Sequence, residues 1–427
     1  MSEQVPLQPS VIERVRAIGS VDLLIGIPSF NNARSIAHVV RAAAAGCAKY
    51  FPDQRAVIVN SDGGSTDGTP AVVAQADVSS LGAILVEHRL NPVHRILTPY
   101  HGIPGKGSAF RTVFALAERL GARACAVVDS DLRSITPEWI ELLLAPVLRD
   151  RCDFVAPLYL RHKYDGTITN SIVYPLTRSL YGKEVRQPIG GDFGFSGRLA
   201  SHYLSKPVWD TPVARFGIDI WMTTTAIADG YRVAQAFLGA KIHDAKDPGA
   251  DLASMFVQVV GSVFDLMETY QRRWPQVDRA EEVPLFGFPH GVGLEPVPVN
   301  VERMLRIFRQ GARDLADLWR DALMPETLGG VERLASAGDG PFRFRDALWV
   351  DVVHDFAITY RRRRFPADQL LASLVPLYLG RTASFVLGTA EAGADDVESI
   401  IRGLADTFLA RKPNLVARWG RATRQEA

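Results

Sequence analysis

Ala124-Cys-Ala-Val-Val-Asp129-Ser130-Asp131 is a short run of small and β-branched residues that ends in two carboxylates one residue apart. A run this short, closed by turn residues, is the pattern of a strand buried on both faces. In extended backbone residues i and i+2 point the same way, so Asp129 and Asp131 can aim their oxygens at one point. Paired carboxylates at the carboxyl end of a buried strand suit Mg²⁺ or Mn²⁺, which take oxygen ligands and share them with a diphosphate. The same tripeptide also makes an ordinary turn.

Upstream, strand and helix patterns alternate. Val21–Ile27 reads as a strand, ended by Pro28-Ser-Phe-Asn-Asn32 because proline cannot continue a central strand. A helix over 33–50 follows, then the strand Ala56–Asn60, which runs into Ser61-Asp-Gly-Gly-Ser-Thr-Asp-Gly-Thr69. After a short helix (70–76) come a strand at 95–99, the loop His101-Gly-Ile-Pro-Gly-Lys-Gly-Ser108, a helix over 109–120 and the strand over 122–128. Strand–helix repeats imply right-handed crossovers and a mostly parallel sheet flanked by helices, an α/β Rossmann-like class. Ligands of such sheets bind beyond the carboxyl ends of the strands. Pro28–Asn32, Asp62–Asp67, Lys106 and Asp129–Asp131 all fall at that edge.

Downstream, a helix (136–148), the strand Phe154–Leu160 and a helix (172–181) precede Pro188-Ile-Gly-Gly-Asp-Phe-Gly-Phe-Ser-Gly197. Four glycines in ten residues predict tight turns against a ligand or another loop. A helix over 216–229 and a strand over 231–238 follow, then Lys241-Ile-His243. From about residue 252 the period is helical, over 255–270, 300–323, 347–362, 369–387 and 395–410. We therefore expect an α/β domain over 1–250 and a helical region over 251–427.

Composition narrows the class. The formal charge of +1 gives no electrostatic case for a nucleic-acid partner. Arg361–Arg364 reads as a solvated helix end. Cys47, Cys125 and Cys152 show no zinc spacing and read as buried free thiols. The first residues carry no basic-then-apolar signal, and no run of 18 apolar residues occurs. The expectation is a cytoplasmic protein with no membrane span. Apolar stripes at 255–270 and 347–360 are core or a homodimer interface.

The loop residues suit recognition of a nucleotide diphosphate. Asp62 or Asp67 can accept from a base N–H or a ribose hydroxyl, or else cap the helix at Thr69. Lys106, between two glycines, can meet an anion with both backbone and ammonium. Asp131 is the candidate ligand of a divalent ion, and Asp129 can bind it through water or hold ribose. His243 is a candidate third ligand from another segment. Asp192 and Asp219, each beside glycines, are the carboxylates placed to handle an acceptor.

Ile27-Pro-Ser-Phe-Asn-Asn32, Asp62-Gly-Gly-Ser-Thr-Asp67 and Asp129-Ser-Asp131 together resemble the nucleotide-sugar glycosyltransferases of the GT-A fold, over about residues 20–250. Gly105-Lys-Gly107 and Lys-Ile-His243-Asp narrow the likeness to retaining synthases of glucosylglycerate or glucosyl-3-phosphoglycerate, with mannosylglycerate synthases more distant. The resemblance implies nucleotide-sugar binding over about 20–135 and acceptor binding over about 136–250. It implies that Pro28, Phe30 and Asn32 line the nucleoside pocket with Asp62 near the base, Asn32 standing where those synthases usually carry Glu. Lys106, with Asp129 and Ser130, would meet the rest of the donor. Asp131 and His243, with Asp129 nearby, would hold Mg²⁺ or Mn²⁺, and Gly190, Gly191 and Asp192 resemble the acceptor loop. Asp219 falls where inverting relatives place a general base and retaining ones a carboxylate that binds sugar or acceptor.

The expected function is transfer of glucose from UDP- or GDP-glucose to D-glycerate with retention. Asp131, Asp192 and Asp219 are the residues expected to serve the chemistry. 3-Phosphoglycerate as acceptor and mannose as sugar are the near alternatives. A nucleotidyltransferase shares the strand-end carboxylates but places a glycine- and lysine-rich loop after the first strand, where this chain has Pro-Ser-Phe-Asn-Asn. A non-catalytic nucleotide-sugar sensor is the reading of another class.

Overall fold

The computed structural model describes residues 7–76, 94–99, 105–242, 253–291, 293–294, 296–337 and 341–424. Its strands are β1 (Leu23–Ser29), β2 (Ala56–Asp62), β3 (His94–Pro99), β4 (Ala124–Val127), β5 (Phe154–Leu160), β6 (Lys183–Glu184), β7 (Phe193–Ser196), β8 (Val233–Ala240), β9 (Glu281–Glu282) and β10 (Leu285–Phe286). Eight of them form one sheet in the order β10-β8-β5-β7-β4-β1-β2-β3. Every pairing in that sheet is parallel except those of β7, which runs antiparallel between β4 and β5. This is the expected class, a mostly parallel α/β sheet flanked by helices, with a helical carboxyl-terminal region.

The chain divides into two compact units by interleaving rather than at a single point near residue 250. One contains residues 1–160, 185–244 and 283–294; the other contains 161–184, 245–282 and 295–427. The helix predicted at 172–181 belongs to the second unit, where a π-helical turn at Thr169–Val173 leads into the helix Tyr174–Tyr181. No strand was expected after Leu238. The short β9 and β10 occur there because each adds two residues to the edge of an existing strand, too few to leave a periodic signal.

In the first unit the strands read as continuous apolar runs because both faces are covered. Leu23, Ile25, Ile58, Ala124 and Ala126 are buried in one cluster with Val39, Ala43, Ile140 and Leu143 of the Ile36–Tyr50 and Pro137–Leu148 helices. Pro28 does not end β1 but continues it, opposite Ser61. The Gly26 carbonyl accepts from the Val128 N–H at 3.0 Å, so Gly26, and by alternation Pro28, face the β4 side. The ladder to β4 stops at Gly26–Val127, and the N–H that Pro28 lacks therefore costs no bond. The glycine-rich stretch 188–197 is also more regular than expected. It contains β7 and is followed at once by the helix Gly197–Leu204.

The second unit is built from helices at Ala253–Thr269, Val301–Asp314, Ala316–Ala322, Pro325–Ser336, Asp346–Arg361, Ala367–Gly388 and Ala394–Arg424. The 300–323 helix predicted from the period is broken at Leu315, and the Pro325–Ser336 helix was not foreseen. Both apolar stripes are used inside this unit: Phe256, Val260, Phe264, Trp349, Val353 and Phe356 are all buried. Among its buried tryptophans, Trp349 donates its N–H to the Ser171 carbonyl at 2.7 Å and Trp274 to that of Met267 at 2.9 Å. The Ala367–Gly388 helix is long and apolar enough to cross a membrane, but 67% of its apolar window is buried. At the predicted solvated end Arg363 and Arg364 are exposed, and Arg363 pairs with Glu268 at 3.0 Å. The three cysteines are free and buried, and burial pushes the Cys47 and Cys152 thiols up to about 12.

Candidate active site

The parallel strands β1, β2, β4, β5 and β8 all end at one edge of the sheet. Because β7 is antiparallel, its beginning lies at that same edge, with Phe193 opposite Val127. The register brings the turn Gly190–Asp192 against the residues that follow β4. The Asp129 N–H donates to Asp192 Oδ1 at 2.7 Å. Gly191 has φ +91°, and a Cβ there would come within 2.2 Å of Asp129 Oδ2, so only glycine lets this turn approach so closely.

Lys106 is not in a loop, as the glycines on either side suggested, but is the first residue of the helix Lys106–Arg119. Its ammonium lies 2.8 Å from Asp129 Oδ1 and 3.2 Å from both oxygens of Asp219, which is in the first turn of the helix Ile218–Ala228. A second ammonium, absent from the sequence-based candidates, completes the cluster. Lys241, just past β8, donates to Asp129 Oδ2 at 2.7 Å, Asp192 Oδ2 at 2.8 Å and the Gly190 carbonyl at 2.8 Å. Three donors meet three acceptors on a side chain only 5% exposed. Asp192 is itself fully buried and also accepts from the Tyr159 hydroxyl. Nothing in a lone lysine between a strand end and a histidine announces this role; only the register of β7 and β8 does.

Two buried carboxylates and the half-buried Asp129, set against two ammoniums, make the ionisation states interdependent. Burial opposes ionisation of Asp129, but Lys106 and Lys241 outweigh it and hold the carboxyl well below the usual range. Burial likewise disfavours the Lys106 charge, and Asp129 and Asp219 more than restore it, so its value is raised. Asp219 goes the other way. Burial pushes its carboxyl up, with Lys106 pulling down less strongly.

The nucleoside-side candidates form a second network, built of hydrogen bonds rather than ion pairs. Asp62 Oδ1 accepts from the hydroxyls of Ser29 (2.8 Å) and Ser65 (2.7 Å), and Oδ2 from the N–H groups of Gly64 (2.9 Å) and Ser65 (2.8 Å). All four lone-pair positions of that carboxylate are spent, three on its own loop and one on Ser29 of β1. Asp67 accepts from the Thr69 N–H and hydroxyl and from the Ala33 N–H, the helix-capping alternative. Asn32 Oδ1 accepts from the Phe30 N–H at 2.9 Å and the Ser130 hydroxyl at 2.8 Å, tying the β1 loop to the β4 loop. Phe30 is 60% exposed beside them.

The implied metal fits in part. Asp131 is a partly buried carboxylate at the end of β4, but both Asp129 oxygens are taken by ammoniums. Among the described residues no three metal-binding side chains converge. His243 lies outside the described residues.

The family model described as Glycosyl transferase family 2 matches residues 24–199, the segment that holds β1 to β7, Lys106, Asp129 and Asp192. The glycosyltransferase resemblance drawn from the three motifs thus falls on a matched segment. Among solved structures, the chain is similar to glucosyl-3-phosphoglycerate synthase from Mycobacterium tuberculosis. One crystal, with Mn²⁺, UDP and phosphoglyceric acid, is 19% identical over 63% of this chain and 84% of that one, with a TM-score of 0.44. Another, with Mn²⁺, UDP and glucosyl-3-phosphoglycerate, is 20% identical over 69% and 96%, with a TM-score of 0.44. A third, with Mg²⁺ and UDP, is 19% identical over 69% and 93%, with a TM-score of 0.43. No curated protein matches the sequence.

Proposed function

We propose that the protein is a retaining, metal-dependent hexosyltransferase that moves glucose from UDP- or GDP-glucose to D-glycerate, giving glucosylglycerate. The observation that carries the reading is the cluster of Lys106, Asp129, Asp192, Asp219 and Lys241 at the carboxyl edge of a parallel sheet, inside and just beyond a segment that matches a glycosyltransferase family. An ammonium 16% exposed at a helix start is a ready partner for a diphosphate. The exposed Phe30 ring, with Pro28 and Asn32 beside it, offers a face to a nucleoside base. Asp62 supports this region by building the loop beside it. Gly190, Gly191 and Asp192 form the turn against which the acceptor is placed.

In this reading the acceptor hydroxyl attacks the anomeric carbon on the face that the diphosphate leaves. The bond to the acceptor oxygen forms as the bond to the phosphate oxygen breaks, and the hydroxyl proton passes to the departing phosphate. Lys106 holds the diphosphate, Asp129 and Ser130 orient the donor, and no protein base is needed. A divalent ion held by Asp131, with His243 as the further ligand the resemblance implies, would neutralise charge on the diphosphate. The reading carries with it a cytoplasmic homo-oligomer with small-molecule partners.

The test is a screen with Mg²⁺ or Mn²⁺ that crosses UDP- and GDP-glucose and -mannose with D-glycerate and 3-phosphoglycerate, read by product mass and anomeric coupling. The expected result is a retained glucoside of glycerate, with Asp131→Ala lowering the rate by on the order of 10²–10³-fold. An inverted product would overturn the mechanism and make Asp219 the general base. Turnover of 3-phosphoglycerate alone would correct the acceptor.

A further inference from the structure

Lys106 is shared by two carboxylates whose needs are unequal. Asp129 keeps Lys241 on its other oxygen at 2.7 Å whether or not Lys106 stays. Asp219 has no such reserve: among the described residues, Lys106 is the cation within ion-pair distance of it, at 3.2 Å from both oxygens. It is 8% exposed, and its Oδ1 accepts no hydrogen bond. An anion that approaches Lys106 must displace a carboxylate or share the ammonium with one. The longer contact, to Asp219, is the one to yield, since Asp129 is at 2.8 Å.

We infer that Asp219 is an internal competitor for the cation that receives the donor's diphosphate, and that it thereby sets how tightly the donor binds. This rests on the proposed reading of the site as a nucleotide-sugar site. It predicts an effect of unusual sign. Removal of a carboxylate that only supports the fold, or only serves the chemistry, leaves diphosphate binding unchanged or weaker. Removal of a competitor strengthens it. Burial already pushes the Asp219 carboxyl upward, with Lys106 the strongest of the charges that draw it down. A like charge removed from within several ångströms of a bound anion is worth on the order of tenfold in affinity at a protein-like dielectric.

The experiment is calorimetric titration of the full chain with UDP and GDP in Mg²⁺ buffer, for the wild type, Asp219→Asn, Lys106→Met and the double variant. Asp219→Asn is expected to bind the preferred nucleoside diphosphate about tenfold more tightly, while uridine and guanosine bind as they do to the wild type. The gain disappears in the Lys106→Met background. Equal or weaker diphosphate binding by an Asp219→Asn protein whose thermal unfolding matches the wild type overturns the inference. So does a gain that survives loss of Lys106. Asp219→Ala gives the same reading should the asparagine variant unfold. If the wild type binds neither UDP nor GDP, the nucleotide-sugar reading itself falls.

Discussion

Two carboxylate-rich loops share one edge of the sheet and are held in different ways. The loop after β2 is held by hydrogen bonds, within itself and to β1 and the loop that follows it. Asp62 and Asp67 accept from hydroxyls and backbone N–H groups, and no cation within ion-pair distance is needed to explain their positions. The cluster after β4 is held by long-range charge. Asp129, Asp192 and Asp219 come from segments far apart in the chain and are kept together by Lys106 and Lys241. Hydrogen bonds from hydroxyls and N–H groups make a scaffold shared by two neighbouring strands and their loops. Buried charge from several segments costs desolvation and is retained where the charge itself is used.

That contrast can be broken experimentally. Its strongest test is Lys241→Met, which leaves Asp129 and Asp192 short of a buried counter-charge. Urea unfolding should show a loss of about 3–5 kcal/mol, with part of it restored in Lys241→Arg. A loss below about 1 kcal/mol would mean that the cluster does not depend on this ammonium. Asp62→Ala removes the acceptor of four hydrogen bonds, three from its own loop and one from Ser29, and should cost less, about 1–3 kcal/mol, since water can reach part of the opened loop. A cost larger than that of Lys241→Met would reverse the assignment of scaffold and charged site.

The smallest effect is one of pH. The Thr69 hydroxyl and then the Ala33 N–H hold the Asp67 carboxyl below its ordinary value. Its folded value is lower than its unfolded one, so its stabilisation is complete above the unfolded value near pH 4 and is lost as pH falls through the folded value. Thermal unfolding of wild type and Asp67→Asn should therefore differ at pH 6 and converge toward pH 2. A difference that persists undiminished in acid would show that the cap does not act through ionised Asp67.

The fold was legible where burial writes a simple pattern. β1, β2, β4, β5 and β8 are runs of apolar residues because a parallel sheet is covered on both faces, and β5 has the limits its sequence predicts. The second half of the segment 188–197 is more regular than its glycines predict, for a physical reason. Its glycines suggested turns, but two of them serve close packing in regular structure. A Cβ on Gly194 would come within 2.1 Å of the Leu143 carbonyl, and one on Gly197 within 1.9 Å of the Ala122 carbonyl. Glycine demanded by a neighbour's backbone looks, in sequence, like glycine demanded by a bend. The candidate site was legible in its carboxylates and in Lys106, which stand in or beside glycine-rich stretches. Lys241 was not, because its partners at 129, 190 and 192 are chosen by strand register, which no local window contains.

The antiparallel strand has a consequence for the order of assembly. Ala124 of β4 is paired on one side with Leu23 and on the other with Ser196. As the chain is synthesised, β4 can dock on β1 early but must wait for some seventy further residues before β7 covers its other edge. Lys241 comes later still. The aspartates after β4 are thus made long before their turn partner and second counter-ion exist, so the nascent chain carries an open strand edge and an acidic end with Lys106 as its first counter-ion until the acceptor-side segment arrives.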